Sequence, residues 1–286
     1  MTASPFSSAQ AARQRLGDRL REIREDAGLS GRALAAAAGW HGGSKISKIE
    51  HAVRPPSPDD IRLWCQVCGV GSERAEELIA ALRAAESMWL DWRRAEQTGL
   101  LPLNVQVRSI FESTRLLRAY SSKVVPGLLQ SSAYTRAVLS AIRDSRKVPV
   151  DDVDAVLIER EARKAVLREG DHRFVFVVEE SVLRYRIGAS DVMAAQLRHL
   201  LEVSALPSVS LGVIPQDADR SLQHPAESFV MFDNTRVNVE LVSGYLTVTE
   251  PAEVGMYMRV FSHLVALAVH GRRARALLDA ALRAFG

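Results

Sequence analysis

Ser44, Lys45, Ser47 and Lys48 stand within five residues, each hydroxyl followed by a lysine. On a helix anchored inward by Ile46 and Ile49, all four face largely outward. Small polar donors on such a helix can reach base edges in the major groove of DNA, while lysines can meet phosphate. Taken alone, the same segment also reads as an ordinary solvated helix face carrying two lysines.

Other residues invite different chemistry. Cys65 and Cys68 form a C-x-x-C, a spacing shared by redox pairs and by half of a zinc site. The chain holds 2 cysteines, and a structural zinc site needs four ligands. Both also fall on the helical pattern Ile61, Trp64, Cys65, Cys68, where a buried thiol packs as a small hydrophobe. Glu179 and Glu180 could imitate paired catalytic carboxylates, but they read as a surface pair at a strand end. His199 and Glu202, three apart, read as a solvated helical pair. The sequence lacks a P-loop, a G-x-G-x-x-G, a G-x-S-x-G elbow and any H-E-x-x-H spacing. No catalytic residue, metal or cofactor is therefore expected, and the chain is not expected to be an enzyme. An enzymatic activity fused to a nucleic-acid-binding segment, such as a nuclease, is the least supported class.

The elements that must position the Ser–Lys segment are legible around it. A first helix spans about 11–27, with Leu16, Leu20 and Ile23 on one face and Gly28 as its stop. Ser30 can cap a second helix holding Leu34, Ala35 and Ala38 inward, and Gly39 ends it. A third helix begins near Gly43 or Ser44 and ends near His51. A fourth covers about 58–68 with Ser57 as cap, and a fifth about 72–96. On that fifth helix Trp89 and Trp92 share a face, read as packing against a following domain rather than as a base-stacking platform.

Further along, 100–125 reads as a linker with a short amphipathic helix. Ser131 or Ser132 caps a helix carrying Tyr134, Val138 and Leu139. A charged helix over 150–168 turns Val153, Leu157, Ala162 and Val166 inward. Strands follow at 174–178 and in V-S-L-G-V-I-P, S-F-V-M-F-D, V-N-V-E-L-V and Y-L-T-V-T-E, with a helix over 192–206 and two more at the end. The expected fold is mainly α with an α+β C-terminal part: a five-helix N-terminal domain, then an antiparallel sheet flanked by helices. The expected division is a DNA-binding domain at 1–75, connecting helices at 76–120 and a second domain at 121–286.

Charge is distributed in keeping with this division. The 286 residues carry a net charge of +3. Residues 1–70 hold ten Lys+Arg against seven Asp+Glu, which leaves 27 of each in the remainder. The excess positive charge thus lies with the three short helices, a bias that phosphate binding favours. No apolar run long enough to cross a membrane is present, and the first ten residues read as a short flexible arm rather than a secretion signal. Few cysteines and no signal imply the cytoplasm.

The segment L-x-x-x-R-x-x-x-G-L-S, then L-A, G, I-S-x-I-E and R-x-P-S resembles the lambda-repressor-like (XRE) helix-turn-helix regulators. The resemblance implies that Gly43, Ser44 and Lys48 face bases, and that Lys45, His51 and Arg54 lie near phosphates. It also implies that Arg24 pairs with Glu50, an acid one turn beyond Ile46 that needs a partner if buried. Three features depart from the pattern. The turn G-W-H-G-G-S-K-I is one residue longer than usual. Gly31 stands where a glutamine commonly meets phosphate, so Arg32 takes that role, and Ala52 stands where a glycine often follows the third helix. Further on, P-G-L-L-Q-S-S-A-Y-T-R-A-V-L, F-V-V-E-E-S-V-L-R, Q-L-R-H-L-L-E and V-S-L-G-V-I-P resemble the C-terminal domain of WhiJ-like actinobacterial regulators. These resemblances imply a homodimeric transcriptional regulator on double-stranded DNA, controlled in toxin–antitoxin-like fashion by a small protein encoded next door. A small-molecule-sensing regulator is the alternative.

Overall fold

The computed structural model describes residues 8–285, so most of the expected N-terminal arm lies outside the described residues. The chain divides into two compact units, residues 1–90 and 91–286.

The first unit is helical: α1 (Ser8–Asp26), α2 (Gly31–Ala37), α3 (Ser44–Glu50), α4 (Pro58–Val67) and α5 (Ser72–Ser87). Leu16, Leu20, Leu34, Ile46, Ile49, Ile61, Trp64, Leu78, Ile79 and Leu82 form one buried core. Trp64 donates its indole N–H to the Leu20 carbonyl at 3.0 Å, satisfying its one polar atom inside that core. Ser30 Oγ caps α2 through Ala33 N at 3.1 Å, and Ser57 with Asp60 forms a reciprocal capping box on α4.

Four helices of this unit end in the same way. The two residues after the C-cap donate back into the last turn: Gly28 and Leu29 after α1, Gly39 and Trp40 after α2, Ala52 and Val53 after α3, Gly69 and Val70 after α4. The first residue of each pair has positive φ. Three are glycine, but after α3 the position is Ala52, at φ +51°. The longer turn between α2 and α3 is accommodated by Gly39 and Gly42, at φ +67° and +75°.

The predicted fifth helix stops earlier than its pattern suggests. Asp91 Oδ1 accepts from Arg93 N at 2.8 Å and Arg94 N, which starts a new helix. Trp89 therefore sits in a short strand, β1 (Trp89–Asp91), and Trp92 begins α6 (Trp92–Ala95), so the two share no helix face.

The second unit continues with α7 (Leu101–Gln106), α8 (Arg108–Ser113), β2 (Leu116–Ser121), α9 (Ser132–Arg146), α10 (Val153–Arg163), β3 (Arg173–Glu179), α11 (Ser190–Val203) and β4 (Val209–Ile214). Then come β5 (Phe229–Phe232), β6 (Arg236–Glu240), β7 (Gly244–Val248), α12 (Pro251–Leu267) and α13 (Gly271–Arg283). The expected amphipathic helix near 111–120 is split, because Thr114 Oγ1 bonds the Ile110 carbonyl at 2.6 Å and the chain then extends into β2. Ser131, rather than Ser132, caps α9. In α10 the inward residues are Val153, Val156 and Glu159, while Ala162 is exposed and Val166 falls in a following 3₁₀ turn.

The sheet order is β1-β7-β6-β5-β2-β3-β4. Its second half is the expected antiparallel meander, with Asp233–Asn234 turning β5 into β6. The sheet as a whole is mixed, because β2, β3 and β4 pair in parallel. Parallel neighbours need crossover connections, and the helices between these strands supply them. One face of the parallel half packs Leu117, Phe174, Phe176 and Leu211 against α9, α11 and α13. The other face buries Val177, Phe229, Met231, Val237 and Val239 beneath α12. Among the described residues, no helix is long and apolar enough to cross a membrane.

Candidate nucleic-acid interface

Helix α3 packs against α1 and α2 through Ile46 and Ile49, both buried. This leaves Ser44, Ser47 and Lys48 exposed on its outer side. Arg32 at the start of α2 and Arg54 beyond α3 are exposed too, and Gly43, the N-cap of α3, is half-buried beside Arg32. Among the described residues, the side chains of Arg32, Ser44, Ser47, Lys48 and Arg54 have no hydrogen-bonding partner. Three cations and two hydroxyls on one helix-turn-helix are thus free to engage a ligand.

The inner end of α3 is held by α1. Arg24 Nε meets Glu50 Oε1 at 2.6 Å, and Arg24 Nη2 meets Oε2 at 3.1 Å, a two-pronged pair. Arg21 Nε adds a contact to Glu50 Oε2 at 3.3 Å, and Gln14 Nε2 reaches the Glu50 carbonyl at 3.2 Å. The hydrogen bond to Glu50 holds the Arg24 guanidinium above its ordinary pKa, against a smaller opposing effect of burial. Arg24 also donates to the Leu29 carbonyl at 2.8 Å, which fixes the α1–α2 turn. Gly17 lets the two helices meet, since a Cβ there would lie 2.6 Å from the Glu50 oxygen. Sequence reasoning missed Gln14, Gly17 and Arg21. Their one signal was helical spacing to Arg24, at intervals of three, four and three residues.

Two residues expected near phosphate are already engaged. Lys45 Nζ meets Asp60 Oδ1 at 2.5 Å and lies 4.0 Å from the centre of the Trp40 ring. Burial pushes the Asp60 carboxyl up, but Lys45 and the Ser57 amide outweigh it and hold the carboxyl below its ordinary pKa. Lys45 therefore braces α3 against α4 instead of offering a free charge. His51 Nε2 faces Arg21 Nη2 at 3.2 Å and its Nδ1 faces the Ser47 carbonyl at 2.8 Å. Arginine can only donate, so Nε2 accepts and Nδ1 carries the proton. His51 belongs to the clamp on Glu50.

Elsewhere the candidates resolve into structural roles. Cys65 is buried and Cys68 half-buried, and burial raises both thiols above their ordinary pKa, the opposite of an activated thiolate. Glu179 and Glu180 are buried, not a surface pair as the strand end suggested. Tyr120 and Arg220 hold Glu179, while Arg184 and the Gln216 amide hold Glu180. Burial lowers the His199 pKa, and Glu202 lies 3.9 Å away. Among the described residues, no group of three or more His, Cys, Asp or Glu could hold a metal ion.

Comparison with known proteins agrees with this geometry at the N-terminus, where residues 15–78 match a family described as a helix-turn-helix domain. No curated protein matches the chain. Among solved structures it is similar to Nuc, a phospholipase D family member from Salmonella typhimurium, at 12% identity over 59% of this chain and 90% of that one, with a TM-score of 0.30. It is also similar to TrmBL2, an archaeal chromatin protein, at 10% identity over 89% of this chain and 99% of that one, with a TM-score of 0.32. Overlap that loose shows no shared fold. The second unit gives the firmer result: residues 112–280, over half the chain, match the family described as domain of unknown function (DUF5753), and the chain belongs to that family.

Proposed function

We propose that this chain is a transcriptional regulator that reads double-stranded DNA through α3. The observation that carries the reading is the face formed by Ser44, Ser47 and Lys48, flanked by the unpaired Arg32 and Arg54. In this reading Gly43, Ser44 and Lys48 approach base edges, with Gly43 letting backbone come close, while Arg32 and Arg54 hold phosphates. Arg24 and Glu50 act indirectly, by fixing the angle at which α3 leaves the domain.

A single helix-turn-helix reads few base pairs, so the active species is proposed to be a homodimer on a repeated half-site. Residues 1–75 bind DNA, 76–120 connect, and 121–286 supply the dimer surface and the control input. The resemblance of the C-terminal motifs to WhiJ-like regulators supports control by a small protein encoded next door, in toxin–antitoxin-like fashion, within the cytoplasm. Such a partner acts by binding the free and DNA-bound states with different affinity. No enzymatic activity is proposed, since the carboxylates best placed for one, Glu179 and Glu180, are tied into the fold.

Selection of bound duplexes from a random-sequence pool tests the reading. Enrichment of a motif with two spaced half-sites supports it. A pool that stays random after several rounds, with and without the neighbouring protein, contradicts it.

A further inference from the structure

On β6 and β7, Arg236, Asn238, Tyr245 and Thr247 lie on one side of the sheet, while Val237, Val239 and Val248 face α12 on the other. The polar side is unusual for a sheet face inside a domain. Asn238 and Thr247 are buried, and Arg236 and Tyr245 are half-buried. Helix α10 brings Arg163 close enough to Tyr245 for its charge to act there, with Arg160 one turn earlier. Arg160 Nε and Arg163 Nη2 both turn to Asn104 of α7, at 2.9 Å to its Oδ1 and 2.6 Å to its carbonyl.

Arg160 and Arg163 are thus withdrawn from water, and Arg236 partly so, with no carboxylate in ion-pair contact among the described residues. The nearby acids have nearer partners: Glu159 has Arg108 at 2.7 Å, and Glu240 has Arg146 at 2.5 Å, which it shares with Glu96. The Nε atoms of Arg163 and Arg236 and the Oδ1 of Asn238 are buried with no hydrogen-bond partner. Buried charge is ordinarily paired, and a group left unpaired costs stability. The two orphaned donors, the Nε atoms of Arg163 and Arg236, therefore call for an anion, while the Asn238 oxygen, an acceptor, calls for a hydroxyl beside it. Arginine's planar fork matches the oxygens of a phosphoryl group, and the excess of charge suits a dianion.

We propose that Arg160, Arg163 and Arg236, together with Tyr245, form a binding site for the phosphoryl group of a small ligand, distinct from the helix-turn-helix. The electrostatics of the free protein agree. Burial, with Arg163 adding repulsion, pushes the Arg160 pKa down to about 10, and burial lowers that of Arg163. Burial also pushes the Tyr245 hydroxyl up to about 12, so it stays a neutral donor at physiological pH.

The test is thermal unfolding of the full chain at constant ionic strength, in chloride, inorganic phosphate or glycerol phosphate. A rise of about 3 °C or more with a phosphate probe is expected. If inorganic phosphate suffices, the ligand is the free ion; if only the monoester acts, it is a phosphorylated metabolite. Arg236→Gln and Arg163→Gln should each abolish the rise. Arg236→Gln should also leave the protein in chloride at least as stable as the parent, because a partly buried charge without an ion-pair partner is gone; Arg163→Gln gives up its bond to the Asn104 carbonyl and is read by the phosphate response alone. Arg259→Gln, at an exposed position of α12, should keep the rise. No rise in the parent with either probe overturns the proposal. So does equal loss in all three variants, or a response of these residues to duplex DNA alone.

Discussion

Arg24 and Glu50, 26 residues apart, meet in a two-pronged ion pair that joins the end of α1 to the last residue of α3. Both side chains are largely buried, at 11% and 7% exposure. Removing one partner leaves the other charge buried, which costs about 3–5 kcal/mol in comparable pairs. Arg24→Ala is therefore expected to lower the urea midpoint of the first unit sharply. An unchanged midpoint would mean that Arg21 alone satisfies Glu50.

Ala52 repays removal of its side chain. It holds φ +51° in a helix ending that uses glycine at Gly28, Gly39 and Gly69. A left-handed alanine costs on the order of 1 kcal/mol relative to glycine. Ala52→Gly should stabilise the unit by about that amount in chemical denaturation. A loss of stability would show that the strain is offset by contacts of the Ala52 methyl.

Gly17 should tolerate no side chain. A Cβ there would stand 2.6 Å from the Glu50 carbonyl oxygen and 2.9 Å from that of Ile49, both backbone atoms. Gly17→Ala is expected to destabilise by about 1–3 kcal/mol through forced separation of α1 and α3. Calorimetric melting reads the effect, and parent-like stability would contradict the close approach.

Asp60 should give the first unit an acid-sensitive step. Its folded pKa is depressed by Lys45 and the Ser57 amide, so its contribution is present above about pH 4 and lost as pH falls through the folded value. Asp60→Asn should destabilise at neutral pH, and its deficit should close on acidification. A deficit constant from pH 7 to pH 2 would rule out the ionised pair.

Much of the DNA-facing unit was legible because its signals are local. Ser30, Ser57, Gly28 and Gly39 mark helix ends by chemistry acting within four residues. The Arg24–Glu50 pair followed from a resemblance, and Gly17 went unread because a close approach between distant helices leaves no local trace. Lys45 was misplaced for a related reason: its partner Asp60 lies 15 residues away on another helix. In the second unit β3 to β7 were visible by composition, but β2 lies in a stretch whose pattern reads as an amphipathic helix, and parallel pairing depends on which strands the crossovers bring together. Glu179 and Glu180 look like surface acids until Arg220 and the Gln216 amide arrive from a segment 41 and 36 residues on. Arg160, Arg163 and Arg236 carry no local signal, because a buried arginine cannot be told from a solvated one by sequence.

The most direct test of DNA reading is a mobility-shift titration on the chain's own upstream DNA, parent against Lys48→Ala, with unrelated duplex as competitor. If α3 reads bases, the parent gives a selective, salt-sensitive shift, and Lys48→Ala lowers specific affinity about tenfold while non-specific affinity changes far less. No selective shift by the parent, with or without the neighbouring protein, contradicts the account. Equal losses on specific and unrelated duplex would reduce Lys48 to a phosphate contact and remove base reading from that residue.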